Sequence, residues 1–375
     1  MVVSDFLYPN EPLRFGADNL DGLLKYCSDL KSSDITFQTN ERVFAEVMGF
    51  LRPITKRKLS AQEVGDIINY LYGPNGTTQL LSGVDVDTYY EFRPSRNERF
   101  RYRVNGTACQ VEGHNGIQIT LRTIPIEPPK LESLNLPQKI IDVITPQNGV
   151  VYVTGPTGSG KTTLLASVIR YIAENENCNR KILTYEAPIE FVYDMLETPT
   201  AIISQSEIPK HLPSFAAGVR NALRRKPRLI LVGEARDSET ITAVIDAALT
   251  GHPVYTTLHT VGVPETVRRL VGSFSKEERE GKVLDIIETL RLIVCQRLLP
   301  TVDGKQVAIR EYMYFDEQVR ELLLNEDLNR VVSGVRNLMK EYGSTFIDDA
   351  TDKFKDGVLA EKEYQNILKA SGKSH

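Results

Sequence analysis

Cysteine is scarce. Four residues in 375, Cys27, Cys109, Cys178 and Cys295, stand far apart with no Cys-x-x-Cys pair. That excludes a thiolate metal clamp and a dithiol redox motif, and it suits a reducing cytosol. Long apolar runs are missing as well. None approaches the ~18 residues of a bilayer-crossing helix, so a membrane role is expected to come through partners. The opening MVVSDFLYPNEPLRF has no basic stretch ahead of an apolar core and does not read as a signal peptide. Nor does one sign of charge dominate. Forty-five basic against 49 acidic residues give a net charge of -4, which argues against a surface given over to phosphate-backbone contacts and leaves room for a local basic patch. There is no internal repeat and no low-complexity tail. What remains is ordinary globular composition, 41% hydrophobic and 25% charged, over a length that predicts two or three domains.

Leu20, Leu23, Leu24, Cys27 and Leu30 recur at helical spacing and predict an amphipathic helix entered near Asp18. Ile35 and Phe37, then Val43, Ala45 and Val47, alternate instead, which predicts two half-buried strands with a turn near Asn40 and Glu41. Ser60 and Glu63 form a capping-box pattern ahead of Val64, Ile67, Ile68 and Leu71. Strand patterns then run from Val84 to GIQITLRTIP. These elements predict an α+β domain over 1–126, closed by a proline-bearing linker over 127–138. From Gly149, apolar runs such as VVYVTG, KILTYE and RLILVGE alternate with helical segments, the pattern of a buried parallel sheet with crossover helices. An α/β domain is expected over 139–300, followed by a short hairpin-like stretch and charged helices in a C-terminal helical region, 301–375.

The strongest chemical signal is GPTGSGKT, which follows the apolar strand VVYV and opens a helix. Strand, loop and helix in that order are the context a P-loop requires. Gly155, Pro156, Thr157, Gly158, Ser159 and Gly160 would form a tight loop with backbone N–H groups turned to phosphates. Lys161 would reach the β- and γ-phosphates, Thr162 would offer a hydroxyl to Mg²⁺, and Thr163 a further hydrogen bond.

Other candidates depend on that loop for their meaning. Leu229 to Val232 make a buried strand delivering Glu234 beside the phosphates, with Gly233 where a Walker B motif usually has Asp; Glu234 can hold Mg²⁺ through water. The alternative is an acidic residue capping the helix from Ser238. KILTYEAPIEF ends a strand in Glu186, placed to orient or deprotonate an attacking water, with Glu190 shortly after. Surface carboxylates are otherwise mostly solvated. His252 and His259 flank a short apolar strand and could sense the γ-phosphate, although a lone histidine is more often structural. Arg101 and Arg103 alternate on one strand face with Arg99, and Arg122 follows on a later strand; these could be arginine fingers supplied in trans, or a solvated strand face. Arg220, Arg224, Arg225 and Lys226 read as a helix-dipole offset or an interface rather than a nucleic-acid contact.

The succession YRVN, RTIP, ESLNLP, GPTGSGKTT, TYEAPIEF, VGEARD and TGHPVYTTLHT resembles the secretion ATPase superfamily of the PilT type. Within it, TYEAPIEFVYD and the overall length are most similar to the branch of the type IVB secretion ATPase DotB and the related plasmid-conjugation protein TraJ. The resemblance implies a PAS-like N-terminal domain, a RecA-like P-loop ATPase domain, a homohexamer, and ATP with Mg²⁺. It assigns Glu186 as the catalytic glutamate of the Asp box, Glu234 to the Walker B region, His252 and His259 to the His box, and Arg101, Arg103 and Arg122 to positions that approach phosphates. VRNLM, at 335–339, resembles the AIRNL motif of retraction motors. Ala187 stands where the Asp box has its aspartate, so the work of that residue is lost or moved to Glu190. The tetracysteine module of type II enzymes and the long extra domain of pilus-extension ATPases have no counterpart.

The resulting expectation is a cytosolic ATPase recruited peripherally to an inner-membrane secretion or conjugation complex. Three other readings stay open: a pilus retraction ATPase, a slow nucleotide-gated docking ring, and a nucleic-acid motor, which the net charge disfavours. An ABC-type signature should follow the P-loop, and Ser82-Gly83 precedes it.

Overall fold

The computed structural model describes residues 6–95, 98–327 and 330–370; residues 1–5 of the opening stretch lie outside the described residues. The chain divides into two compact units, Met1–Ile126 and Glu127–His375.

In the first unit, helices α1 (Leu20–Asp29), α2 (Ala61–Tyr72) and α3 (Gly76–Leu81) accompany a six-stranded antiparallel sheet in the order β3-β2-β1-β6-β5-β4. Its strands are β1 (Ser32–Gln38), β2 (Phe44–Val47), β3 (Phe50–Pro53), β4 (Val86–Ser95), β5 (Glu98–Val111) and β6 (His114–Thr123). Alternation decides which face is covered. Tyr102 and Val104 on β5 join Ile117, Ile119 and Leu121 on β6 in the core with Leu23, Leu24, Ile67 and Ile68 of the helices. The Tyr102 hydroxyl donates to the Leu24 carbonyl at 2.9 Å. Arg99, Arg101 and Arg103 therefore take the other face of β5. Arg103 stands directly across from Arg122, and Arg122 across from Asp34.

The second unit is built on eight strands in the order β14-β13-β12-β7-β11-β10-β8-β9. They are β7 (Gly149–Thr154), β8 (Lys181–Glu186), β9 (Ile202–Glu207), β10 (Leu229–Val232), β11 (Pro253–Leu258), β12 (Leu290–Pro300), β13 (Gln306–Tyr314) and β14 (Gly343–Ser344). The six from β12 to β9 run parallel, with β13 and β14 added antiparallel at one edge. β7, β10 and β11 are buried at every position, as strands covered by helices on both faces must be. One helical layer holds α4 (Gln138–Val143) and α5 (Lys161–Glu174). The other holds α6 (Phe215–Ala222), α7 (Ser238–Leu249), α8 (Val263–Val271) and α9 (Lys276–Thr289), with α10 (Glu317–Leu324) and α11 (Val331–Tyr342) packed on the same core. Helices α12 (Phe346–Lys355) and α13 (Glu361–Ala370) form a small separate cluster with Ile309 and Leu359.

Two segments differ in character from what their composition suggests. Residues 127–138 contain a 3₁₀ turn, Leu131–Leu134, whose Leu131 is buried in the core beneath α5, as is Leu136; two apolar anchors make a packed segment of a proline-rich stretch. Past residue 300 the sheet continues, because β13 pairs with β12 from Pro300↔Gln306 to Leu292↔Tyr314. Helices resume only at Glu317.

The capping box of α2 carries an additional load. Glu63 accepts the Phe15 N–H at 2.6 Å, two Arg57 guanidinium N–H groups at 2.9 and 2.5 Å, and the Ser60 N–H at 3.4 Å. Burial works to raise its pKa, but Arg57 and the Phe15 amide outweigh it and hold the carboxyl below the ordinary glutamate range. A pKa depressed by folding gives stability that is present above the unfolded value of about 4.3 and lost as pH falls through the folded one. Glu63→Gln is expected to cost about 1–3 kcal/mol at pH 7 and progressively less below pH ~4, measured by urea denaturation across pH. A loss independent of pH would assign the effect to packing alone.

Candidate nucleotide-binding and hydrolysis site

β7 ends at Thr154 and the chain turns at Gly155, with φ of 145°. A Cβ there would lie 2.3 Å from the Gln296 carbonyl oxygen and 2.6 Å from Ser159 Oγ, so only glycine fits. The loop winds through Pro156, Thr157, Gly158, Ser159 and Gly160 into α5, which begins at Lys161. First-turn amides have no partner within their own helix, and here they meet the positive end of its dipole at one point. Lys161 folds back over the loop, its Nζ donating to the Gly155 and Pro156 carbonyls at 3.0 and 2.9 Å. Burial lowers the pKa of this ammonium, and Glu234, then Cys295 and Glu190, oppose the shift. Thr157, Gly158 and Thr162 line the adjoining pocket, and Thr163 is not among its lining residues.

The same pocket gathers Glu186, Glu190, Glu234 and His259. Glu186 is the last residue of β8 and is buried. Its Oε1 accepts from the Thr184 hydroxyl at 2.6 Å and from Gln205 Nε2 at 3.1 Å. Gln205 sits on β9, donates also to the Phe191 carbonyl at 2.9 Å, and accepts the Tyr193 N–H at 3.3 Å. Glu234 is the second residue after β10, with Gly233 between them. At Gly233 a Cβ would come within 3.2 Å of the Tyr185 carbonyl oxygen and 3.3 Å of Glu186 Cα, so any larger residue there requires the backbone of β8 to give by a few tenths of an ångström. Glu234 does not cap α7, because Asp237 does, accepting the Thr240 N–H at 2.8 Å. His259 follows β11, and its Nε2 is 3.6 Å from Glu234 Oε1. Thr162, Glu186, Glu190 and Glu234 all present hard oxygen donors in this pocket.

His252 is elsewhere, and the expectation of two histidines at one nucleotide is corrected. It precedes β11, its carbonyl accepting the Gly149 N–H at 3.2 Å and its Nδ1 lying 3.1 Å from the Ala247 carbonyl. A six-residue strand spans about 20 Å, so residues flanking it stand at opposite edges of the sheet. The candidate arginines all belong to the first unit. Arg101 is buried beside Glu91 and the Tyr89 ring, Arg103 makes two bonds to Asp87 at 3.0 and 2.7 Å, and Arg122 pairs with Asp34 at 2.9 Å.

A buried polar chain behind the P-loop carries no sequence motif. Gln296 on β12 donates from Nε2 to the Ser159 carbonyl at 2.6 Å, and Arg310 on β13 donates to Gln296 Oε1 at 3.3 Å. Arg310 also donates to the carbonyls of Leu134 and Asn135, at 3.0 and 3.3 Å, and its N–H reaches Asp349 at 2.7 Å. Only pairing across β12 and β13 brings these groups together, and Gln205, among Ser204, Ser206 and Glu207 on β9, is not singled out by its strand either.

A RecA-like parallel sheet with a glycine loop entering a helix, a buried lysine and two strand-end carboxylates defines a P-loop ATPase. Residues 114–323 match the type II/IV secretion system protein family, and the chain belongs to it. A twitching motility protein of Neisseria gonorrhoeae is 37% identical over 288 residues, 76% of this chain and 74% of its own. The type IV pilus retraction ATPase PilT of Pseudomonas aeruginosa is 31% identical over 84% of this chain and 88% of its own. The crystal structure of the Legionella pneumophila ATPase DotB superposes with a TM-score of 0.87 at 61% identity, covering 97% of this chain and 99% of that one. The pilus retraction motor PilT with bound ADP gives a TM-score of 0.81 at 28% identity, over 94% of this chain and 97% of that one. The protein is therefore a nucleotide-binding ATPase of the secretion and pilus class. Among the described residues, no helix is long and apolar enough to cross a membrane.

Two substitutions separate the roles of the supporting amides in steady-state ATP hydrolysis. Gln205→Leu releases Glu186 and is expected to lower kcat about 10- to 100-fold with KM little changed. Gln296→Leu releases the P-loop and is expected to raise KM for ATP about tenfold. Effects of both on kcat alone, or on neither constant, would contradict this division.

Proposed function

We propose that the protein is the ATPase motor of a type IVB secretion system, acting as a homohexameric ring docked from the cytoplasm onto an inner-membrane complex. The similarity to the L. pneumophila ATPase DotB, 61% identity along 97% of the chain, carries this reading. In it, residues 139–300 hold the hydrolytic core, 301–375 flank it, and 127–138 link it to 1–126, which carry the arginines.

Water attacks the γ-phosphorus in line while the bond to the β–γ bridging oxygen breaks, and Glu186 takes the proton that the water loses. Thr184 and Gln205 fix this carboxylate for that task. Lys161 exchanges two loop carbonyls for phosphate oxygens, so its charge is delivered without a new desolvation cost. Among the described residues no group of three His, Cys, Asp or Glu could hold a metal unaided. Thr162 and Glu234 fit Mg²⁺ as hard oxygen donors and would hold it together with the nucleotide; when bound it neutralises charge on the phosphate oxygens. His259, next to Glu234, would hydrogen-bond the γ-phosphate and lose that partner on release. Arg101, Arg103 and Arg122 would be contributed by a neighbouring subunit of the ring. Asp87 and Asp34 hold Arg103 and Arg122 in set directions beforehand.

The retraction reading has its own support in the twitching motility and PilT relatives. Cells lacking the gene, complemented with the wild type, Lys161→Ala or Glu186→Gln, distinguish the readings. Expected are loss of type IVB effector delivery in both variants and twitching left intact. Purified Glu186→Gln should still bind ATP while hydrolysing it about 10²- to 10⁴-fold more slowly. Loss of twitching with delivery intact favours retraction, and delivery sustained by Glu186→Gln favours a docking ring.

A further inference from the structure

At the N-terminal edge of the parallel sheet, opposite the P-loop, the turns that enter β7, β8, β10 and β11 surround a cleft of about 570 Å³. Its lining carries charge of one sign, from Arg180, Lys226 and Arg228, with His252 and the amides of Asn177 and Asn179 beside them. Among the described residues no Asp or Glu lines it, in a chain whose net charge is -4. Among the described residues, none of the three cations has a carboxylate within 4.0 Å. Lys226 and Arg228 are exposed, whereas Nη1 of Arg180 is buried without a hydrogen-bond partner. Lys226 is also held at φ +53°, a left-handed backbone that a lysine adopts only under constraint.

Three like charges in one concavity repel, and among the described residues no carboxylate lies within 4.0 Å to offset them. We infer that this cleft is a binding site for an acidic peptide segment of a partner protein. Its Asp or Glu carboxylates would pair with the guanidinium forks of Arg180 and Arg228, and the Asn177 and Asn179 amides would meet its backbone. Among the described residues no Phe, Tyr or Trp ring lines the cleft, so stacked bases lack a large aromatic platform. Its concavity suits an inserted segment better than a plane of lipid headgroups. Because it lies at the far edge of the sheet from Lys161, an occupant leaves the nucleotide pocket open.

The test titrates the full-length protein into a fluorescein-labelled peptide of alternating Glu and Asp, followed by anisotropy. The Gln/Asn counterpart, a single-stranded oligonucleotide and phosphatidylglycerol vesicles are run beside it. The acidic peptide is expected to bind, and its Gln/Asn counterpart not. Arg180→Gln with Arg228→Gln should weaken binding about tenfold or more, as should raised salt, with ATP turnover unchanged. Arg228→Glu alone, at an exposed position, should weaken it as well, and thermal melting checks that each variant is folded. The inference is overturned if the acidic peptide does not bind or binds the variants as tightly. It is equally overturned if the oligonucleotide or the vesicles bind more tightly with the same dependence on Arg228. Self-association abolished by Arg228→Glu in sedimentation would assign the cleft to a second copy of the chain instead.

Discussion

A single buried amide holds the P-loop against β12. Gln296 donates to the Ser159 carbonyl, and the backbone carbonyl of the same residue occupies the space that a side chain at 155 would need. The loop can lie this close only because position 155 is glycine, and it stays there because Gln296 cannot turn away, Arg310 being bonded to its Oε1. Arg310 is in turn a buried cation, its pKa brought down to about 10 by burial with Asp349 opposing, so it remains charged at neutral pH. Such a charge is tolerable when its donors are all engaged. Two of its acceptors are the carbonyls of Leu134 and Asn135, in the segment that follows the first unit. The phosphate-binding loop and the entry into the second unit are thus ends of one hydrogen-bonded chain.

What the amino-acid order made legible follows from distance along it. The P-loop, Glu186 and Glu234 each depend on a strand end and the turn after it, and parallel strands deliver such turns to one edge. The capping box at Ser60 and Glu63 is equally local. His252 and His259 look like a pair in the sequence because seven positions separate them, but an extended strand intervenes and carries them to opposite edges. Gln296, Arg310 and Asp349 were not legible, because their meeting depends on the β12–β13 register and on where α12 docks. The same long-range pairing draws residues 306–314 into the sheet.

The two edges of this sheet also differ in chemistry, for a structural reason. At the C-terminal edge, Glu186 and Glu190 from the end of β8 and Glu234 from the end of β10 converge near one buried lysine, so carboxylates outnumber cations there. At the N-terminal edge, the turns carry cations without carboxylate partners. A parallel sheet lets its two sets of turns vary separately, since each strand's ends are tied to different connections. Anion recognition can be built at both edges without either disturbing the other.

Ala187 shows how a site tolerates the loss of a side chain that the resemblance leads one to expect. An aspartate there would stand next to Glu186 and, as a like charge, would raise the cost of ionising both. With alanine, the orientation of Glu186 falls to two neutral donors, Thr184 from its own strand and Gln205 from the next. Hydrogen bonds to the ionised form favour it without adding charge. Gln205 is itself fixed by the Phe191 carbonyl and the Tyr193 N–H, in the segment that follows Pro188. The departure from the usual motif and the polar residue on β9 are therefore two parts of one arrangement. The glutamate is set in part by the neighbouring strand, and Glu190 shares the pocket near Lys161.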